Sequence, residues 1–156
     1  MKYGDLITVG LKCYNQRGTI GAALEAALCQ TYRPLQVVVA DDGSTDGSYE
    51  LLQDRIAART AQDVEVVLLR NEVNLGNMGN WLRICAAAKG EWLVKADGDD
   101  ASEPNRAVGA GPAPADGPRR ARGRCHGESK MVKCRGFNEK MERCFCTLSI
   151  KSSAGS

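Results

Sequence analysis

Long apolar runs are missing from this 156-residue sequence, as are Cys-x-x-Cys pairs and a Gly-x-x-x-x-Gly-Lys loop. Without about 18 consecutive apolar residues, no segment reads as a bilayer-spanning helix. The N-terminus passes straight into a short strand-like run rather than the layout of a secretion signal. Seven cysteines are an odd number. Cys13, Cys29 and Cys85 sit among apolar neighbours without metal-ligand spacing, as reduced cytoplasmic thiols do. Cys125-His126, Cys134, Cys144 and Cys146 offer zinc-ligand types, but their spacing departs from that of structural zinc sites, so incidental thiols are the simpler reading. Gly76-Asn77-Met78-Gly79 lacks the P-loop lysine and the third glycine of a dinucleotide fingerprint, which argues against a nucleotide hydrolase or a dehydrogenase. The basic run Arg119–Arg124 has no interleaved aromatics on which bases would stack, so it reads as solvated and not as a nucleic-acid contact.

What is present divides into two halves of opposite sign. The net charge of +2 conceals 11 Lys+Arg against 15 Asp+Glu in residues 1–106, and 10 against 4 in residues 107–156. The length suits one ordinary domain. Within the first 106 residues, apolar strand-like runs alternate with helical spacing. Strands are expected at Leu6–Leu11, Leu35–Ala40, Val64–Leu69 and from Trp92. Helices are expected after Thr19, from Asp46 to about Ala58, and from about Met78 to Ala88, with Thr19 and Asp46 as N-caps. Strands of Val and Leu separated by helices indicate parallel βαβ units with right-handed crossovers.

Each expected strand ends in polar residues: Tyr14-Asn15, Asp41-Asp42-Gly43-Ser44, Arg70-Asn71 and Asp97-Gly98-Asp99-Asp100. In an open parallel sheet these ends share one edge, where ligands bind at the switch point of the strand order. Three carboxylates within four residues repel one another, by roughly 4 kcal/mol per pair at 4 Å and an effective dielectric near 20. Such crowding suits a hard divalent cation shared with phosphate oxygens. A solvated acidic turn is the plainer alternative. Asp42-x-Ser44-x-Asp46-Gly47 begins like a calcium loop, but the twelfth position is Gln53 and a strand precedes it, so that reading fails.

The ordered set Tyr14-Asn15, Gln30-Thr31-Tyr32, Val37 to Gly47, Asn74-Leu75-Gly76, Asn80-Trp81, Lys89-Gly90-Glu91 and Asp97 to Arg106 resembles family 2 glycosyltransferases of the GT-A fold, over residues 3–106. The resemblance implies an α/β, Rossmann-like half domain with parallel strand order 3-2-1-4. It also implies inverting transfer of a sugar from a nucleotide diphosphate donor, UDP- or dTDP-linked, to a hydroxyl of a saccharide or lipid-linked glycan. By the same resemblance Asp41 hydrogen-bonds the donor base and Tyr14 lies beside it. Asp42 and Asn74 belong to the donor-nucleotide site. Asp97 contacts the ribose side, and Asp99 ligates Mg²⁺ or Mn²⁺, with Asp97 and Asp100 completing the metal cluster. Lys12-Cys13 stands where the family often carries Pro-Thr or Pro-Ala. The expected location is the cytoplasm, peripheral at the inner face of a membrane where the acceptor is lipid-linked.

Residues 107–156 depart from the family. No motif for the catalytic base is recognisable there, so the base is unassigned. Leu, Ile, Val and Phe make only 6 of these 50 residues, a level at which chains tend to stay disordered. Their Ala-Gly-Pro-Arg richness resembles a GC-rich message read out of frame. The expectation is therefore an irregular basic tail that begins at a frameshift or artificial junction near residue 107. Phe137, Met141, Phe145 and Leu148 have helical spacing that would let a short helix dock on the sheet. An incomplete domain also exposes sheet surface, which favours self-association. A catalytically silent nucleotide-sugar binding module is the alternative to an active transferase.

Overall fold

A computed structural model describes residues 5–59, 63–97 and 131–133. The chain runs β1 (Ile7–Cys13), α1 (Ile20–Leu28), β2 (Leu35–Asp41), α2 (Ser48–Ala57), β3 (Glu65–Arg70), α3 (Gly76–Ala87), β4 (Trp92–Asp97) and β5 (Met131–Lys133). The sheet order is β3-β2-β1-β4-β5. The first four strands are parallel, as expected, with Val9 beside Val37 and Val94, and Val37 beside Val66. The expectations for Asp99 and Asp100, the junction near residue 107, the zinc-type ligands and the 137–148 helix lie outside the described residues.

β5 modifies the expectation of a wholly irregular tail. Met131–Lys133 pairs antiparallel with β4, Leu93 opposite Val132. Its physical reason is the edge of β4, whose N–H and C=O groups need partners once β1 has taken the other side. A Met-Val-Lys tripeptide suffices for that, and it is too short to give a strand signal in the sequence.

Both faces of the sheet are covered. Side chains alternate along a strand, so Val37 and Val39 join Ile7, Val9, Leu11, Ile20, Leu24 and Leu52 under α1 and α2. Val38 and Ala40 join Leu93, Ile84 and Cys85 under α3. This explains why every residue of β2 is buried and why its centre, Val37–Ala40, is a continuous apolar run. β3 is the open edge, and its central residues Val66–Leu69 are half-buried. Two helices lie on one face and one on the other because β2 and β3 extend the sheet one way from β1 while β4 extends it the other. The strand order therefore reverses between β1 and β4.

The helix starts differ in detail from the expectation. Thr19 is the N-cap of α1, but its side chain bonds no helical N–H; the hydroxyl donates to the Gln16 carbonyl. Gly47 takes the N-cap of α2 at φ 84°, and Asp46 one residue earlier accepts from the Ser48 backbone N–H at 2.9 Å. Contact between β1 and α3 is made over Gly10, where a Cβ would stand 2.6 Å from Ile84 Cγ2 and 3.1 Å from Trp81 Cζ3. Ile84 is itself fully buried and cannot swing aside. Gly10→Ala is expected to destabilise the fold by about 1–3 kcal/mol through overpacking. Urea denaturation of the two proteins measures it; an unchanged midpoint would show that α3 shifts freely.

Candidate donor-nucleotide site

The carboxyl ends of β1 and β2 and the start of α3 enclose an open cleft of about 320 Å³. Lys12, Tyr14 and Gln16 line it from β1 and its loop, Asp42 from the end of β2, and Asn74, Gly76, Asn77 and Asn80 from α3 and its approach. Of the strand-end clusters expected to converge, those after β1 and β2 contribute Tyr14 and Asp42 to the lining, while Asn71 after β3 reaches the site only through its bond to Asp42. Asp97 ends β4 and is the register partner of Lys12, across the switch point.

The two loops that follow β1 and β2 are stitched together. Asn15 adopts φ 50°, its N–H donates to Ser44 Oγ at 2.9 Å, and its side-chain oxygen accepts from the Thr45 N–H at 2.9 Å. The Gln16 N–H donates to Ser48 Oγ at 3.0 Å, and the Arg17 N–H to Asp46 Oδ2 at 3.0 Å. The Ser48 hydroxyl and these backbone donors hold the Asp46 carboxyl below the usual carboxylate range. Cys13 lies beneath, where burial and the neighbouring Asp41 push its thiol up to about 12. It stays protonated at neutral pH and is no nucleophile.

The paired aspartates after β2 point to opposite faces. Asp41 follows the parity of Val37 and Val39, and it is fully buried on the α1–α2 side. Its two oxygens accept from the Ser44 N–H at 3.0 Å and the Ser44 hydroxyl at 2.5 Å. Asp41 therefore shapes the Asp-Asp-Gly-Ser turn and is absent from the cleft lining. Asp42 has the parity of Val38 and Ala40 and faces α3. Its Oδ1 accepts from the Leu75 N–H and from Asn71 Nδ2, both at 2.8 Å. Asn71 Nδ2 also donates to Asn80 Oδ1 at 3.0 Å, and Asn80 Nδ2 to the Ala40 carbonyl at 2.9 Å. This network fixes Oδ1, and Oδ2 of Asp42 has no donor among the described residues.

Tyr14 stands at the rim, 48% exposed, as an aromatic face available for stacking. Asn74 is exposed and accepts from the Gly76 N–H at 2.8 Å, turning the chain into α3. Sequence reasoning missed the roles of Asn71 and Asn80, although both were in view as polar residues at a strand end and in the Asn80-Trp81 pair. Asn77 was in view only within the discounted stretch Gly76–Gly79. Lys12 was seen only as a departure, and it is a cleft residue whose ammonium donates to Asn77 Oδ1. Among the described residues no group of three metal-type ligands occurs.

A parallel sheet with reversed strand order, covered on both faces and carrying a carboxylate and an aromatic at the switch-point cleft, defines a GT-A-type, Rossmann-like nucleotide-binding fold. The profile of glycosyl transferase family 2 matches residues 8–110, and the chain belongs to that family. The UDP-Glc:alpha-D-GlcNAc-diphosphoundecaprenol beta-1,3-glucosyltransferase WfaP of Escherichia coli is 31% identical over 98 residues, which cover 62% of this chain and 36% of that protein. Glycosyltransferase GlyG of Streptococcus pneumoniae is 34% identical over 106 residues, covering 65% of this chain and 32% of its own length. Among solved structures, the mannosyltransferase PcManGT of Pyrobaculum calidifontis in complex with GDP-Man and Mn²⁺ superposes with a TM-score of 0.57 at 28% identity. That superposition covers 62% of this chain and 28% of the mannosyltransferase. The chain therefore spans only about a third of the length of the curated relatives it matches. No described helix is long and apolar enough to cross a membrane.

Proposed function

We propose that the cleft binds the nucleoside diphosphate of a sugar donor, UDP- or dTDP-linked, as the donor half of an inverting glycosyltransferase. The observation that carries this is Asp42: a carboxylate that lines the cleft, one oxygen held by the Leu75 N–H and Asn71 Nδ2 and the other with no donor among the described residues. A fixed acceptor there suits the N3–H of uracil or thymine, with Tyr14 against the face of the base. Asn74 holds the loop that supplies the Leu75 N–H. The base contact first attributed to Asp41 passes to Asp42, since Asp41 is spent on Ser44.

The diphosphate extends toward β4. Asp97, Asp99 and Asp100 would offer carboxylate oxygens alone, the donors that Mg²⁺ and Mn²⁺ prefer. PcManGT, 28% identical, was solved with Mn²⁺ and a nucleotide sugar, which supports a divalent ion here. When bound, such an ion neutralises charge gathering on the departing diphosphate. In inversion the acceptor hydroxyl attacks the sugar's anomeric carbon from the side opposite the diphosphate. Its proton passes to a carboxylate that no described residue is positioned to be. The acceptor is a saccharide or lipid-linked glycan, as in WfaP's name, and the chain would work in the cytoplasm or at the inner membrane face. Self-association through the half-exposed β3 edge belongs to the same reading, as does a junction near residue 107. A silent donor-binding module is the second reading.

Calorimetry on the full chain tests the proposal. UDP and dTDP are expected to bind with Mn²⁺ present, and sugar transfer to stay at background. No binding of either nucleotide under any metal condition would end the donor-site reading. Robust transfer by the monomeric chain would overturn the impaired state and show that residues 107–156 complete the enzyme.

A further inference from the structure

We propose that Lys12 is a second base-reading residue, which donates to the ring carbonyl beside the N–H that Asp42 accepts. The inference rests on the donor-site reading above. By strand parity Lys12 shares the α3 face with Gly10, whose nearest neighbours are Ile84 and Trp81 of α3. It lines the same cleft as Asp42. Its ammonium is directed by Asn77 Oδ1, while the Asp42 carboxylate is directed by the Leu75 N–H. Leu75 and Asn77 are two residues apart, so their Cα atoms lie within about 7.6 Å. The ammonium and the carboxylate are thus tethered to one short wall. An ammonium carries three donors and no acceptor, and an ionised carboxylate is acceptor-only. Side by side they complement an N–H flanked by C=O, the edge that uracil and thymine present. Cytosine and adenine offer a ring-nitrogen acceptor in place of that N–H. A contact to phosphate is the rival use of the same ammonium, and the experiment separates the two.

Lys12→Met keeps the unbranched stem as far as Cε and removes the ammonium. Equilibrium binding of UDP and of uridine, without metal, would be measured on the full-length wild type and variant, with circular dichroism melting of both. Lys12→Gln, which retains a donor, serves as a second variant. The variant is expected to lose about tenfold in affinity for UDP and for uridine alike, the size of one hydrogen bond to a charged group. Lys12→Gln should recover part of the loss. Wild type should also bind either 2-thio-UDP or 4-thio-UDP several-fold more weakly than UDP, with that difference absent in Lys12→Met. A loss confined to UDP would reassign Lys12 to phosphate and overturn the inference. Equal wild-type affinity for UDP and both thio analogues would overturn it without any variant. Wild type that binds neither UDP nor uridine, with or without Mn²⁺, would sink the donor-site reading itself.

Discussion

Asp42→Asn is expected to weaken UDP binding by roughly 10- to 100-fold while leaving CDP unaffected or improved. The two N–H groups that anchor Oδ1 need an acceptor, so the amide oxygen takes that place and the NH₂ replaces Oδ2. An NH₂ then faces the N3–H of uracil, donor against donor. A hydrogen bond to a charged group contributes about 1.5–3 kcal/mol, and its loss sets the expected range. Cytosine N3 is an acceptor and meets the new amide favourably. Competition between UDP and CDP on wild type and variant reads the outcome. An unchanged preference would show that Asp42 does not touch the base. Asp41→Ala should act differently: with its oxygens bonded to Ser44, its removal disturbs the turn and costs stability without inverting the base preference.

Why the two aspartates could not be told apart in the sequence is a question of parity. Adjacent residues at a strand end point to opposite faces, and the cleft lies on the face that carries α3. Nothing local to Asp41-Asp42 says which face that is; it follows from α3 crossing to β4 on the far side of β1. The strands themselves were legible because β2 and its neighbours are runs of Val, Leu and Ile covered on both sides, and the order 3-2-1-4 followed from the family resemblance. The caps were less so. Thr19 has the right side chain for an N-cap, but its hydroxyl is taken by the Gln16 carbonyl. Lys12 looked like a defect in a motif because its partner, Asn77, is 65 residues away. Only the fold brings them together.

Asp99→Ala should abolish the metal dependence of donor binding. On the proposed reading, the mutation would remove one anionic ligand from a divalent-cation site shared with the diphosphate. Two charged phosphates then remain beside Asp97 and Asp100 with less cation to offset them. A loss on the order of 100-fold in UDP affinity at saturating Mn²⁺ is expected, equivalent to about 2.7 kcal/mol. In the absence of metal, wild type and variant should bind UDP about equally. Titration calorimetry with and without Mn²⁺ gives both comparisons, and uridine serves as a control because it lacks the diphosphate. Equal, metal-responsive binding by both proteins would remove Asp99 from the site and return the acidic stretch to a solvated turn.

The central strand also sets a timetable for synthesis. β1 pairs with β2, which follows it by 28 residues, but its other edge waits for β4, and the Gly90 N–H that bonds Thr8 Oγ1 comes 82 residues later. A ribosome adding about 5–20 residues per second exposes that edge for several seconds. During this interval β1 has one satisfied side and one row of open N–H and C=O groups, flanked by Ile7, Val9 and Leu11. A higher concentration of nascent chains should therefore favour aggregation through β1, and a weaker promoter, which lowers that concentration without slowing elongation, should raise the soluble yield. The arrival of β4 on the free edge of β1 ends the chain's most exposed moment.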